Sequence, residues 1–84
     1  MFNLRISQAA AKSLRKAPRE VAARIRARLD ELAEDPFAAP NVRKLTGHPG
    51  YRLRVGDWRV LYLVERGVLV IYVIEVGHRK EIYR

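Results

Sequence analysis

Apolar and polar positions alternate most regularly over residues 51–64, Tyr-Arg-Leu-Arg-Val-Gly-Asp-Trp-Arg-Val-Leu-Tyr-Leu-Val. The break at Gly56-Asp57 is two residues long, and Gly and Asp supply the positive φ angles that tight hairpin turns need. The stretch therefore predicts a β-hairpin. With that turn, Val55 lies opposite Trp58, Arg54 opposite Arg59, Leu53 opposite Val60 and Arg52 opposite Leu61. One face is then apolar, and the other carries the guanidinium groups of Arg52, Arg54 and Arg59.

The rest of the chain supplies elements to pack against this hairpin. Phe2, Leu4 and Ile6 alternate with Asn3 and Arg5, which predicts a short strand with one buried face. Ser7 is placed to cap a helix in which Ala10, Leu14 and Ala17 share a stripe, while Lys12, Arg15 and Lys16 point away. Pro18 ends that helix and suits the first position of a second. The second helix runs to about Glu34, with Val21, Ala22, Ile25, Leu29, Leu32 and Ala33 on one face. Its arginines, 19, 24, 26 and 28, read as a solvated surface, with Glu20 and Arg24 spaced as a helical ion pair.

Residues 35–50 hold Pro36, Pro40, Gly47, Pro49 and Gly50 and are expected to be mostly loop. Phe37, Val42 and Leu45 would pin this loop to the core, with Arg43, Lys44 and His48 extending a basic surface. After the hairpin, Arg66-Gly67 marks another turn, and residues 68–76 are apolar at nearly every position. Such a run predicts a central strand covered on both faces. Trp58, Val60, Tyr62 and Val64 would then share the helix-facing side with Leu69, Ile71 and Val73. Leu61, Leu63, Val70, Tyr72 and Ile74 would lie beside the arginines, an apolar surface that a binding partner could cover.

The expected fold is α+β: an N-terminal strand, a two-helix hairpin and a three-stranded antiparallel meander, βααβββ, in one domain spanning residues 1–84. Helices cover one face of the sheet, and the first strand joins the edge beside the last.

Charge narrows the function. A formal net charge of +8 in 84 residues points to nucleic acid, an anionic surface or an acidic protein partner. The absence of cysteine excludes disulfides and thiolate metal sites, no Cys/His spacing marks a zinc finger, and no glycine-rich loop cradles a phosphate. No apolar segment is long enough to span a bilayer and no leader is evident, so a cytoplasmic location is expected.

Like charges directly opposite each other weaken a sheet, so Arg54 facing Arg59 beside Arg52 suits a bound anion. The plainer alternative is a solvated face whose long side chains splay into water. A second basic cluster, His78-Arg79-Lys80, where the next strand ends, favours the anion. Arginine, lysine, histidine and tyrosine together suit binding a phosphodiester and stabilising its transition state, and a ribose 2′-hydroxyl can supply the nucleophile.

Residues 51–62, together with Val76-Gly77-His78-Arg79 and Ile82-Tyr83-Arg84, resemble the RelE/ParE toxin superfamily, in particular its RelE branch. The resemblance covers essentially the whole chain. It implies an mRNA interferase, an endoribonuclease that cleaves messenger RNA in the ribosomal A site without metal or other cofactor. The implied partners are the ribosome, mRNA and a cognate antitoxin, in a hetero-oligomer able to bind operator DNA, with no membrane. Carried over by position, Arg52 and Arg54 bind RNA phosphate and Arg59 stabilises the transition state. Arg79 protonates the leaving group or stabilises charge, and Tyr83 orients the RNA or stacks on a base. Arg54, Arg59, Arg79 and Tyr83 form the implied catalytic set; the expected RNA-binding set joins Arg52 and Arg54 with the basic residues Arg43, Lys44, His78 and Lys80 read from the chain itself. The best-studied branch of the family has lysines where this chain has Arg52 and Arg54, which hold their protons far more tightly. His78 has the intrinsic pKa of a base in their place. The ParE branch, whose members inhibit DNA gyrase without cutting RNA, is the alternative.

Overall fold

The computed structural model describes residues 1–37 and 39–78. The elements run β1 (Asn3–Ile6), α1 (Gln8–Lys16), α2 (Arg19–Glu34), β2 (Val42–Lys44), β3 (Tyr51–Val55), β4 (Trp58–Glu65) and β5 (Val70–His78). Both helices and the α+β architecture are as expected. The strands form one five-stranded sheet in the order β1-β5-β4-β3-β2. β1 joins the edge beside β5 in parallel, and the other pairs are antiparallel.

One strand was not anticipated: β2, within the stretch expected to be loop. Its three residues are too few for a periodic signal, and they become a strand by pairing with β3, Val42 with Leu53, Arg43 with Arg52 and Lys44 with Tyr51. Phe37 helps to hold the loop down, meeting the rings of Phe2 and Tyr51 edge-on at 6.5 and 5.8 Å, with the Arg66 guanidinium 4.5 Å above it.

The β3–β4 hairpin has the expected register, from Val55 opposite Trp58 to Arg52 opposite Leu61. Gly56 takes a φ of 60° while Asp57 does not take a positive φ, the pattern of a two-residue turn with glycine first. The next turn differs from expectation. Glu65 pairs with Val70, so the connection is residues 66–69 rather than Arg66-Gly67, and Leu69 belongs to the turn, not the strand. Leu69 has a left-handed φ of 53°, which costs a non-glycine residue about 1–2 kcal/mol. It is tied there by its own backbone: its N–H donates to Arg66 O and its carbonyl accepts from Asn3 N–H.

β5 contains a β-bulge. Leu61 pairs with Glu75 and Tyr62 with Val73, leaving Ile74 without an opposite number. The extra residue reverses which face each later side chain takes. Ile71 and Val73 point to the helices, as do Val76 and His78, whereas Tyr72, Glu75 and Gly77 lie on the other face. Ser7 holds the bulge: its hydroxyl donates to Ile74 O at 2.9 Å and accepts from Ala10 N–H at 3.0 Å as the α1 cap. Losing both roles in Ser7→Ala is expected to cost about 1–2 kcal/mol; a thermal melt indistinguishable from wild type would contradict this.

The core lies between the helices and one sheet face. It comprises Ala10, Leu14, Ile25, Leu29 and Leu32 against Leu53, Val55, Val60, Tyr62, Ile71, Val73 and Val76. β5 is central, but Tyr72 is exposed and Ile74 half-buried, so it is covered on one face rather than two. Among the described residues no helix is long and apolar enough to cross a membrane.

The Tyr62 phenol is buried and donates to Pro36 O at 3.1 Å, tying the loop after α2 to the core. Desolvation, reinforced by Tyr51, raises its pKa well above the ordinary value. The folded state thus holds this proton more tightly than the unfolded chain, whose tyrosines ionise near pH 10, so the contribution is complete below about pH 10 and is lost above it. Denaturant titrations should show stability falling above about pH 10, less steeply in Tyr62→Phe. Identical pH profiles would remove Tyr62 as the cause.

Candidate functional site

The sheet face turned away from the helices is built by strand parity. Because side chains alternate along a strand and directly opposed residues share a face, Arg52, Arg54 and Arg59 lie together. β2 adds Arg43 opposite Arg52. The result is a cross-strand row, Arg43, Arg52, Leu61 and Glu75, followed by a second row, Arg54, Arg59 and Gly77.

Arg43, Arg52, Arg54 and Arg59, with Asn41 and Val42, line a cavity of about 350 Å³. No carboxylate is among these lining residues. Asn41 has a left-handed φ of 65°, and its carbonyl accepts from Arg54 N–H at 3.0 Å. Asparagine tolerates that conformation better than most residues with a side chain. It holds the bend that brings β2, and hence Arg43, alongside β3.

Arg54 and Arg59 face each other directly, yet they do not occupy equivalent environments. Arg54 is exposed, whereas Arg59 is only 9% exposed. The Arg59 Nη1 group turns back onto the hairpin, donating to Gly56 O at 3.4 Å and Trp58 O at 3.3 Å. These are long bonds, but they aim one guanidinium along the sheet while the other projects from it. The chain's own carbonyls thus relieve part of the repulsion expected of this pair.

The other expected site residues separate into three groups. Arg43, Arg52, Arg54 and Arg59 are brought together. Lys44 is not: it pairs with Tyr51 and lies on the opposite face from Arg43. His78 also lies across the sheet, half-buried beside Trp58, with the rings edge-to-face at 5.7 Å. The bulge at Ile74 explains this displacement, since an unbulged strand would have put His78 beside the arginines. Arg79, Lys80 and Tyr83 lie outside the described residues. His48 is an exposed loop residue whose Nδ1 accepts from Gly50 N–H at 3.0 Å.

Two features of this face were not foreseen. Glu75 is a carboxylate on the arginine side, placed there by the bulge, and Asn41 shapes the cavity wall. The left-handed preference of Asn was the available signal for Asn41; Glu75 had none, because a bulge is invisible to alternation. Among the described residues no group of three or more His, Cys, Asp or Glu could hold a metal ion. The arrangement can bind a phosphodiester and stabilise negative charge, since guanidinium forks match phosphate oxygens and keep their protons.

The sequence model of the family described as ParE toxin of type II toxin-antitoxin system, parDE, matches residues 4–83. The isolated Escherichia coli RelE toxin is similar in structure, with 31% identity, a TM-score of 0.82, and coverage of 99% of this chain and 92% of that one. The toxin–antitoxin complex RelBE of E. coli gives 30% identity and a TM-score of 0.82, covering 93% of this chain and 96% of the other. The archaeal RelE–RelB complex from Pyrococcus horikoshii gives 28% identity and a TM-score of 0.83, covering 95% and 97%. No curated protein sequence gives a significant match.

Proposed function

The chain belongs to the RelE/ParE superfamily of toxins from type II toxin–antitoxin systems, and on that premise we propose that it is a ribosome-dependent endoribonuclease that cleaves mRNA in the A site. The observation that carries this reading is the convergence of Arg43, Arg52, Arg54 and Arg59 on one cavity with no carboxylate among its lining residues. Similarity to E. coli RelE over nearly the whole chain supports it.

In this reading Arg43, Arg52 and Arg54 grip the phosphates flanking the scissile bond. The RNA's own 2′-oxygen attacks the adjacent phosphorus. The P–O2′ bond forms and the P–O5′ bond breaks, giving a cyclic 2′,3′-phosphate and a free 5′-hydroxyl. Arg59 neutralises the charge that builds on the phosphorane oxygens. Its guanidinium is already desolvated and directed by two carbonyls, so little reorganisation is needed as charge develops. The 2′-proton must leave to a base and the 5′-oxygen must gain a proton. Neither transfer suits an arginine; with His78 on the other face, Glu75 is a carboxylate in the same cross-strand row as Arg43 and Arg52.

The partner that restrains such a toxin is a cognate antitoxin. Next to the arginines, Leu61, Leu63 and Ile74 are half-buried and Tyr72 is exposed. An acidic segment with apolar anchors complements both parts of that face.

The test is primer extension on mRNA from a cell-free translation reaction. New 5′ ends at codon-spaced positions that vanish without ribosomes are the expected result; intact message in the presence of folded protein overturns the reading. A second reading is favoured by the family description itself, ParE: a toxin that inhibits DNA gyrase and leaves RNA intact. Loss of supercoiling by purified gyrase without RNA cleavage is its signature.

A further inference from the structure

α2 presents Arg24 and Arg28 one helical turn apart, toward the turn of the β3–β4 hairpin. Together with Ala27, Asn41, Arg54, Val55 and Gly56 they line a second cavity, of about 290 Å³. The Arg24 guanidinium reaches the turn so closely that a Cβ on Gly56 would sit 3.4 Å from its Nη2. Arg28 is fixed by two contacts: Nη2 donates to Pro40 O at 3.1 Å, and Nε lies 3.1 Å from a Glu31 carboxylate oxygen.

The expected ion pair between Glu20 and Arg24 does not form. Among the described residues, no hydrogen bond or ion pair engages the guanidinium of Arg24 or of Arg54. Like charges four residues apart weaken a helix, and here only Arg28 is offset by a carboxylate. Asn41 and Arg54 line both cavities. The basic surface is therefore continuous from the sheet face, past the exposed Arg54, onto α2.

We infer that this second cavity is a phosphate subsite for the same RNA strand. It takes a phosphodiester beyond those held over β3 and β4, carrying the backbone round the hairpin end onto α2. The inference rests on the RNA-binding reading above and extends it. The lining argues for a nucleic-acid backbone over a protein segment, because its apolar surface comes from Ala27 and Val55 rather than from the deep pockets that anchor large side chains in protein interfaces.

The test is binding in the absence of cleavage, by fluorescence anisotropy with the full chain and a labelled 2′-O-methyl RNA hexanucleotide, titrated between 50 and 200 mM KCl. Arg24→Gln combined with Arg28→Gln should weaken binding several-fold and make the salt dependence shallower by about 0.7 in log–log slope, the value of one phosphate contact on a single strand. Arg19→Gln combined with Arg26→Gln removes the same charge from other faces of α2 and should leave the slope near wild type. Circular dichroism on both double variants establishes that they are folded. Equal effects from the two pairs, or none from either, overturn the subsite while leaving the RNA reading intact. A wild-type chain that does not bind the RNA overturns the subsite, while the cleavage reading is decided by primer extension on ribosomes. Unchanged RNA binding with lost binding of polyglutamate assigns the cavity to an acidic protein instead.

Discussion

Arg59→Ala is expected to lower mRNA cleavage on programmed ribosomes by about 10²–10³-fold, the usual consequence of removing a preorganised charge-stabilising donor. The magnitude follows from burial. A guanidinium in contact with water would be screened, and its loss would be partly replaced by solvent; Arg59 is almost wholly withdrawn from solvent and held by Gly56 O and Trp58 O. Arg54→Ala removes an exposed phosphate contact and should cost less, about 10–100-fold. Stability should not follow activity. Removing Arg59 breaks two long hydrogen bonds but also relieves a like charge directly across the hairpin, and these partly cancel to within about 1 kcal/mol. Single-turnover cleavage by primer extension, with circular dichroism on the same samples, separates the two effects. Undiminished cleavage by folded Arg59→Ala would exclude the buried guanidinium from the chemistry.

Leu53→Ala should have the largest effect on stability. Leu53 is fully buried between Arg52 and Arg54 in sequence and pairs with Val60 on one side and Val42 on the other. Its side chain is thus the apolar floor on which three strands, and the arginines above them, are registered. Truncation should cost about 2–5 kcal/mol. A domain of this size has about 4–13 kcal/mol in total, so the urea midpoint should fall by a large fraction with the slope unchanged. Cleavage should fall with the population of folded protein and recover when low temperature restores it. A midpoint within experimental error of wild type would show that the neighbouring strands close over the lost volume.

The sequence was most informative where geometry leaves no slack. A two-residue turn at Gly56-Asp57 admits a single register, so the opposition of Arg54 and Arg59 was legible from alternation alone. The turn after β4 was not, because nothing in the chemistry of leucine announces that Leu69 adopts a left-handed backbone. β2 was hidden by its length. Arg43 was foreseen as basic surface, but its alignment with Arg52 depends on pairing made possible by Asn41. Alternation placed Arg59 on the correct face and could not reveal its burial, since a long side chain can stand up or lie down from the same Cα. Arg24 and Arg28 looked like ordinary helix surface because their nearness to Arg54 arises only when α2 packs across the sheet.

The bulge at Ile74 has a consequence for how this protein can vary. It sets the parity of the strand's last residues, much as a reading frame sets codons. Straightening the strand without shortening it would exchange two populations, sending Val76 and His78 to the outer face and driving Glu75 and Gly77 toward the core. A carboxylate would then need burial while apolar surface lost it, whereas deleting Ile74 would leave Val73 opposite Tyr62 and Glu75 opposite Leu61, with every later side chain on its present face. The strand can lose this residue more readily than it can flatten it, and the Ser7 hydroxyl on the Ile74 carbonyl is the bookmark that keeps the count.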